Sequence, residues 1–199
     1  MAYTSKADHK LAQFLSNFPR LDPETIAVLV KKIPVVAPIK GTVLLKEGDI
    51  PKACYYVLEG LVRQYQFIDG TERTTAFYTE KNGSVSAAHY SDQTPSAFNL
   101  VCTEDCLLIA GNLEIDESHY AEFPILVEIT KRMIETELNK TQQTLTHFIL
   151  SPPKERYVQF LKTHPDLINR VPLHQIASYL GLTPESLSRI RKRLVTPSN

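Results

Sequence analysis

The chain has 199 residues, of which 43% are hydrophobic and 22% charged. A fold of that length buries about 70% of its unfolded surface, and the composition excludes bulk disorder and fibrous repeats. No apolar run approaches the roughly 18 residues that a bilayer span needs, and residues 1–10 lack the apolar stretch of a secretory signal, so the expected location is the cytoplasm with no membrane partner.

The 22 basic and 22 acidic residues cancel over the whole chain but not along it. From Ser151 onward eight basic residues face three acidic ones, a net charge of +5, which leaves the first 150 residues at −5. A basic C-terminal segment behind an acidic body points to a polyanion at one end only. Cys54, Cys102 and Cys106 are too few and odd in number for a disulfide scaffold and read as reduced thiols.

Residues 6–32 predict two short helices. Leu11, Phe14, Leu15 and Phe18 recur at helical spacing, and Asp22-Pro23-Glu24 supplies an N-cap, a first-turn proline and an acidic first turn. From Pro34 to Ile109 the pattern changes to short β-branched and aromatic runs separated by Gly, Pro, Asp and Asn, the signature of an all-β barrel or sandwich. Asp69-Gly70 between two such runs predicts a type I′ hairpin turn. Between Phe123 and Leu150 the period becomes helical, with Ile134, Leu138, Thr141, Leu145 and Phe148 along one stripe. A helix about 40 Å long outruns a small barrel, so this stripe is read as a homodimer seam. Ser151-Pro152-Pro153 ends that helix, and residues 154–163 predict another with Tyr157, Phe160 and Leu161 inward.

The stretch from Val171 to Leu194 carries most of the functional information. Leu173, Ile176, Ala177 and Leu180 share one helical face, Gly181 supplies a left-handed stop, and Thr183-Pro184-Glu185 opens a second helix with Leu187, Ile190 and Leu194 as its expected buried face. Two short helices around a glycine turn predict a helix-turn-helix, whose second helix enters the major groove of DNA. Arg189 matches guanine O6 and N7, Glu185 can accept from cytosine N4, and Thr183, Ser186 and Ser188 are short groups suited to phosphate. Arg191, Lys192 and Arg193 follow as a positive helix end.

The order of β-rich domain, long helix and terminal helix pair resembles the Crp/Fnr family of regulators. The residues that carry this resemblance are Gly41-Thr-Val-Leu-Leu-Lys-Glu-Gly48, Tyr55-Tyr-Val-Leu-Glu-Gly60 and Gln175-Ile-Ala-Ser-Tyr-Leu-Gly-Leu-Thr-Pro-Glu-Ser-Leu-Ser-Arg-Ile-Arg-Lys-Arg-Leu194. The resemblance implies a homodimer that binds pseudo-palindromic double-stranded DNA under control of a small-molecule effector and contacts RNA polymerase. It also implies that Glu185 and Arg189 read bases, while Pro184 stands where the best-known member has a further Arg. Family members that bind cyclic nucleotides hold the ribose with Glu and the phosphate with Arg. Here Ser84 and Ser96 occupy those places, within Gly83-Ser84-Val85 and Pro95-Ser96-Ala97. A cyclic phosphate without a matched cation is costly to bury, so the expected effector is neither cyclic AMP nor cyclic GMP.

Cys102 and Cys106 are expected to lie on one face but well apart, and the six histidines show no ligand spacing, so no metal, cofactor or catalytic residue is expected. His89, beside Tyr90, is a further candidate for the effector cavity. The fold expected is α+β: an N-terminal double-stranded β-helix (jelly roll) sensor over residues 1–122, a dimerisation helix over 123–150, and a winged-helix-type helix-turn-helix over 151–199. The competing expectation is a ligand-binding or metal-dependent, cupin-like β-roll enzyme with a C-terminal interaction module.

Overall fold

The computed structural model describes residues 5–85, 90 and 92–195. Two helices lead in, α1 (Lys6–Leu15) and α2 (Pro23–Lys32). Ser5 and Asp8 cap α1 reciprocally, and the Asp22 carboxylate accepts from the amides of Glu24 and Thr25 at 3.0 and 2.8 Å to open α2, as the Asp-Pro-Glu signature predicts. Seven strands follow among the described residues: β1 (Val35–Val36), β2 (Val43–Leu45), β3 (Cys54–Glu59), β4 (Leu61–Ile68), β5 (Thr71–Thr79), β6 (Asn99–Cys102) and β7 (Leu107–Gly111). They form two sheets, ordered β1-β7-β3 and β2-β6-β4-β5. The β1–β7, β3–β7 and β2–β6 pairings are antiparallel, with Val35 opposite Ile109, Tyr56 opposite Ile109 and Val43 opposite Val101. Asp69 and Gly70 both have positive φ, 50° and 72°, so the β4–β5 hairpin closes in the backbone geometry that its Asp-Gly dipeptide predicts.

Six helices follow among the described residues: α3 (Leu113–Glu122), α4 (Ile125–Leu150), α5 (Pro153–Thr163), α6 (Leu167–Arg170), α7 (Leu173–Tyr179) and α8 (Pro184–Val195). The sequence reading anticipated all of these except α3 and the single turn α6. The architecture is α+β, an antiparallel β-roll of two sheets with C-terminal helices.

The chain forms two compact units. The first comprises residues 1–64 and 77–137, and the second residues 65–76 and 138–199. In the first, Val57, Leu61, Val62, Leu100, Cys102 and Leu108 are buried within the strands. A second cluster joins Leu11 and Leu15 of α1 and Ile26 and Leu29 of α2 to Leu58 of β3 and Leu126 and Ile129 of α4. Gly60, at φ +101°, makes the β3–β4 corner; a Cβ there would lie 2.6 Å from the Asp105 carbonyl oxygen and 2.7 Å from Cys106 Sγ. The expected separation of the two neighbouring cysteines is not observed. The chain turns between β6 and β7, and this sets the buried Cys102 and Cys106 thiols close enough to interact, while Cys106 Sγ donates to the carbonyl oxygens of Leu61 at 3.7 Å and Glu104 at 3.3 Å. The spacing argument assumed one continuous strand, whereas Cys106 lies just before β7.

In the second unit Tyr157, Phe160, Leu167, Val171, Ile176, Ala177, Leu180 and Leu187 are buried. The hairpin tip, residues 65–76, belongs to this unit: the buried Thr74 amide donates to Ser178 Oγ on α7 at 2.9 Å. Among the described residues no helix is long and apolar enough to cross a membrane.

Candidate nucleic-acid interface

The helix pair α7 and α8 is built as its sequence predicts. The Leu180 amide bonds the Ile176 carbonyl at 3.0 Å, Gly181 takes φ +67°, and the Leu182 amide returns to the Ala177 carbonyl at 2.8 Å, so the last carbonyls of α7 are satisfied as the chain turns. Thr183 then starts α8: its hydroxyl accepts from the Ser186 amide at 3.2 Å and donates to Ser186 Oγ at 3.1 Å. Leu187 is fully buried and fixes which way the helix faces.

That anchoring leaves Thr183, Glu185, Ser188, Arg189, Arg191, Lys192 and Arg193 exposed and Ser186 half-buried. Leu194 departs from the expected buried face. It is 39% exposed, because the inward stripe of α8 runs only from Leu187 to the half-buried Ile190. The Glu185 carboxyl is held below its ordinary value by its own backbone amide, then by the Thr183 hydroxyl, with the Arg189 charge contributing. Glu185 therefore stays an ionised acceptor one turn before Arg189, and the exposed surface of α8 carries one acceptor followed by four cations.

The candidate effector residues fall into two groups held by different partners. Gly83, Ser84 and Val85 run beside β3: the Val57 amide donates to Gly83 O at 2.8 Å, the Val85 amide to Tyr55 O at 3.1 Å, and Ser84 bridges Tyr56. Gly83 is required by close approach, since a Cβ there would lie 2.6 Å from Val57 O and 2.7 Å from the Tyr56 ring. Ser96, with Pro95 and Ala97 exposed on either side, pairs instead with the turn before β3, its amide donating to Asp49 O at 2.9 Å and its carbonyl accepting from Gly48 at 2.8 Å. The Ser96 side chain is 3% exposed and its hydroxyl donates to Phe98 O at 2.8 Å while accepting from the Phe98 amide at 3.1 Å. Both of these bonds of the Ser96 hydroxyl stay within its own loop. His89 lies outside the described residues.

On α4 the predicted stripe is open. Ile134, Leu138 and Leu145 are 62%, 56% and 57% exposed, Thr141 is exposed between them, and Val127, Ile149 and Leu150 extend the apolar surface beyond the positions chosen from sequence. Phe148, the last member, is partly covered, with the Arg156 guanidinium carbon 4.5 Å from its ring centroid. Sequence reasoning missed Arg156, Phe148's second role, and the Thr74–Ser178 bond. Among the described residues no group of three or more His, Cys, Asp or Glu is placed to hold a metal.

Residues 39–115 match the family model described as "Cyclic nucleotide-binding domain". No curated protein matches the sequence. Among solved structures, FixK2 from Bradyrhizobium japonicum is 19% identical, with 82% of this chain and 84% of that chain covered and a TM-score of 0.67. The c-di-GMP responsive global regulator CLP of Xanthomonas campestris is 17% identical, with coverages of 87% and 92% and a TM-score of 0.69. The catabolite activator protein of Thermus thermophilus is 20% identical, with coverages of 88% and 84% and a TM-score of 0.53. The Crp/Fnr resemblance read from the sequence is thus matched as a likeness of fold over most of the chain.

Proposed function

With a cyclic nucleotide-binding domain at residues 39–115 as the premise, we propose that this chain is a homodimeric, DNA-binding transcription regulator of the Crp/Fnr type, regulatory and not catalytic. The observation that carries this reading is the exposed surface of α8, where Glu185, Arg189, Arg191, Lys192 and Arg193 face solvent on a helix anchored by Leu187 and capped by Thr183. That surface has a base-reading pair near its start and phosphate-binding cations toward its end, the division of labour of a recognition helix. α7 and α8 form the helix-turn-helix of a domain spanning residues 151–199, and α4 pairs with its copy in the second subunit through Ile134, Leu138, Thr141, Leu145 and Phe148. Two recognition helices then meet successive major grooves of a pseudo-palindrome, about 34 Å apart.

The β-roll over residues 1–122 acts as the sensor, taking a small-molecule effector other than cyclic AMP and biasing the arrangement of the two reading helices, with RNA polymerase as the downstream partner. Support for an effector other than cyclic AMP or cyclic GMP comes from Ser84 and from Ser96, whose hydroxyl is bound within its own loop. Selection of bound duplexes from a random pool, combined with mass measurement of the complex, tests the reading. Enrichment of an inverted repeat bound by two chains supports it. A monomer that retains no duplex at low salt, with or without cell extract, overturns it.

A further inference from the structure

We propose that Arg156 is a positioning residue that fixes the direction of the α7–α8 pair relative to the end of α4, and so sets the half-site spacing the regulator accepts; the spacing part rests on the DNA-binding reading above. Two chain segments meet at its guanidinium. Nη1 donates to the carbonyl of Leu180 at 2.9 Å, the C-cap of α7, where helical carbonyls run out of partners. The guanidinium carbon lies 4.5 Å from the centroid of Phe148, in the last turn of α4. Gly181 closes the junction: a Cβ there would lie 3.2 Å from Phe148 Cζ and 3.3 Å from Arg156 Nη1, so the turn backbone rests on both. All of these residues lie in one compact unit.

The covalent link between α4 and α5 is Ser151-Pro152: the Ser151 amide donates to the His147 carbonyl at 2.9 Å and the Pro152 carbonyl accepts from the amides of Glu155 and Arg156 at 3.0 and 3.1 Å, so the link orders the two helix ends while none of these bonds reaches α7 or α8. A planar cation suits the junction because it stacks on a ring and aims a donor at a carbonyl at once, which the tetrahedral ammonium of lysine does not reproduce. Nε is buried with no hydrogen-bond partner among the described residues, so the polar pairing of the group rests on its Nη atoms. Losing the junction removes the side-chain contact between the end of α4 and the α7–α8 turn, which widens the range of positions the recognition helix can reach.

The full-length protein carries the test. Residual dipolar couplings are measured for amides of α4 residues 138–150 and of α7 and α8, without DNA. In the wild type one orientation fits both sets; in Arg156→Ala and in Phe148→Leu the α7–α8 set requires a separate, reduced alignment, whereas Phe148→Tyr, which keeps the ring, behaves as wild type. Arg156→Lys keeps the charge and does not restore the common fit. In duplex selection Arg156→Ala keeps the same half-site bases but accepts neighbouring spacings and loses about tenfold affinity for the wild-type spacing. A common fit in both Arg156→Ala and Phe148→Leu overturns the proposal, and if Arg156→Ala does not fold, Phe148→Leu decides it. Separate alignment in the variants combined with a wild type that binds no duplex leaves the positioning role standing and removes the DNA-binding reading instead.

Discussion

Arg189 and Lys192 lie three residues apart on an exposed helix, yet the proposed function gives them different work. Arg189 sits one turn after an ionised Glu185 and carries the fork that pairs with guanine; Lys192 is a point charge near the end of the helix. Arg189→Ala is expected to cost about 1–3 kcal/mol on the selected site and little on random duplex, while Lys192→Ala weakens both alike and lowers the salt slope by about 1. Fluorescence anisotropy on specific and random duplexes over a salt series checks this, and equal losses for both variants on both duplexes contradict it. Asp22 gives a second prediction at this scale. Hydrogen bonds from Thr25, backbone first and then side chain, hold its carboxyl below its ordinary value of 3.8. A depressed carboxylate contributes stability above the unfolded value that is lost as pH falls through the folded one. Urea midpoints of wild type and Asp22→Ala are therefore expected to differ at neutral pH and to converge in acid below 3.8; a constant difference down to pH 2 contradicts the assignment.

Elements carry the next two predictions. The α4 stripe leaves Ile134, Leu138 and Leu145 more than half exposed, which a second copy of the helix would cover. Leu138→Glu places two like charges across that seam and is expected to give a folded monomer by sedimentation, with an unchanged dimer mass contradicting the seam. The β4–β5 hairpin makes a different bond: Ser178→Ala removes the acceptor of the buried Thr74 amide and is expected to cost about 1–3 kcal/mol in urea unfolding. Much of this was legible in the chain. Asp69-Gly70, Asp22-Pro23 and Gly181 each announced their turn because the cause is local backbone preference. α3 was not legible, since Leu-Glu-Ile-Asp-Glu-Ser-His-Tyr-Ala-Glu has no apolar stripe to find. The Thr74–Ser178 bond joins residues 104 positions apart, and the Arg156 junction depends on where a helix ends, so neither has a signature in spacing. Within the candidate site, periodicity matches the exposure of Glu185, Ser188, Arg189 and Lys192, but it puts Leu194 inside because a pattern cannot show where packing partners stop.

For the whole molecule, net charge conceals polarity. A pI near 7.0 suggests indifference to polyanions, yet the segment after residue 150 carries +5. Duplex affinity is therefore expected to fall steeply with salt, with a log–log slope of about −0.9 for each phosphate neutralised, despite the neutral total. A slope near zero contradicts the segregation of charge as the source of affinity.

The crossing between the two sheets has a consequence for how the β-roll comes apart. β7 is the middle strand of one sheet and β6 an inner strand of the other, and only residues 103–106 join them, wedged against the side-chain-free corner at Gly60. Neither sheet can peel away while its neighbour stays intact. Proteases added to the native protein should consequently find no stable half-roll fragment, and heating should melt both layers in a single transition.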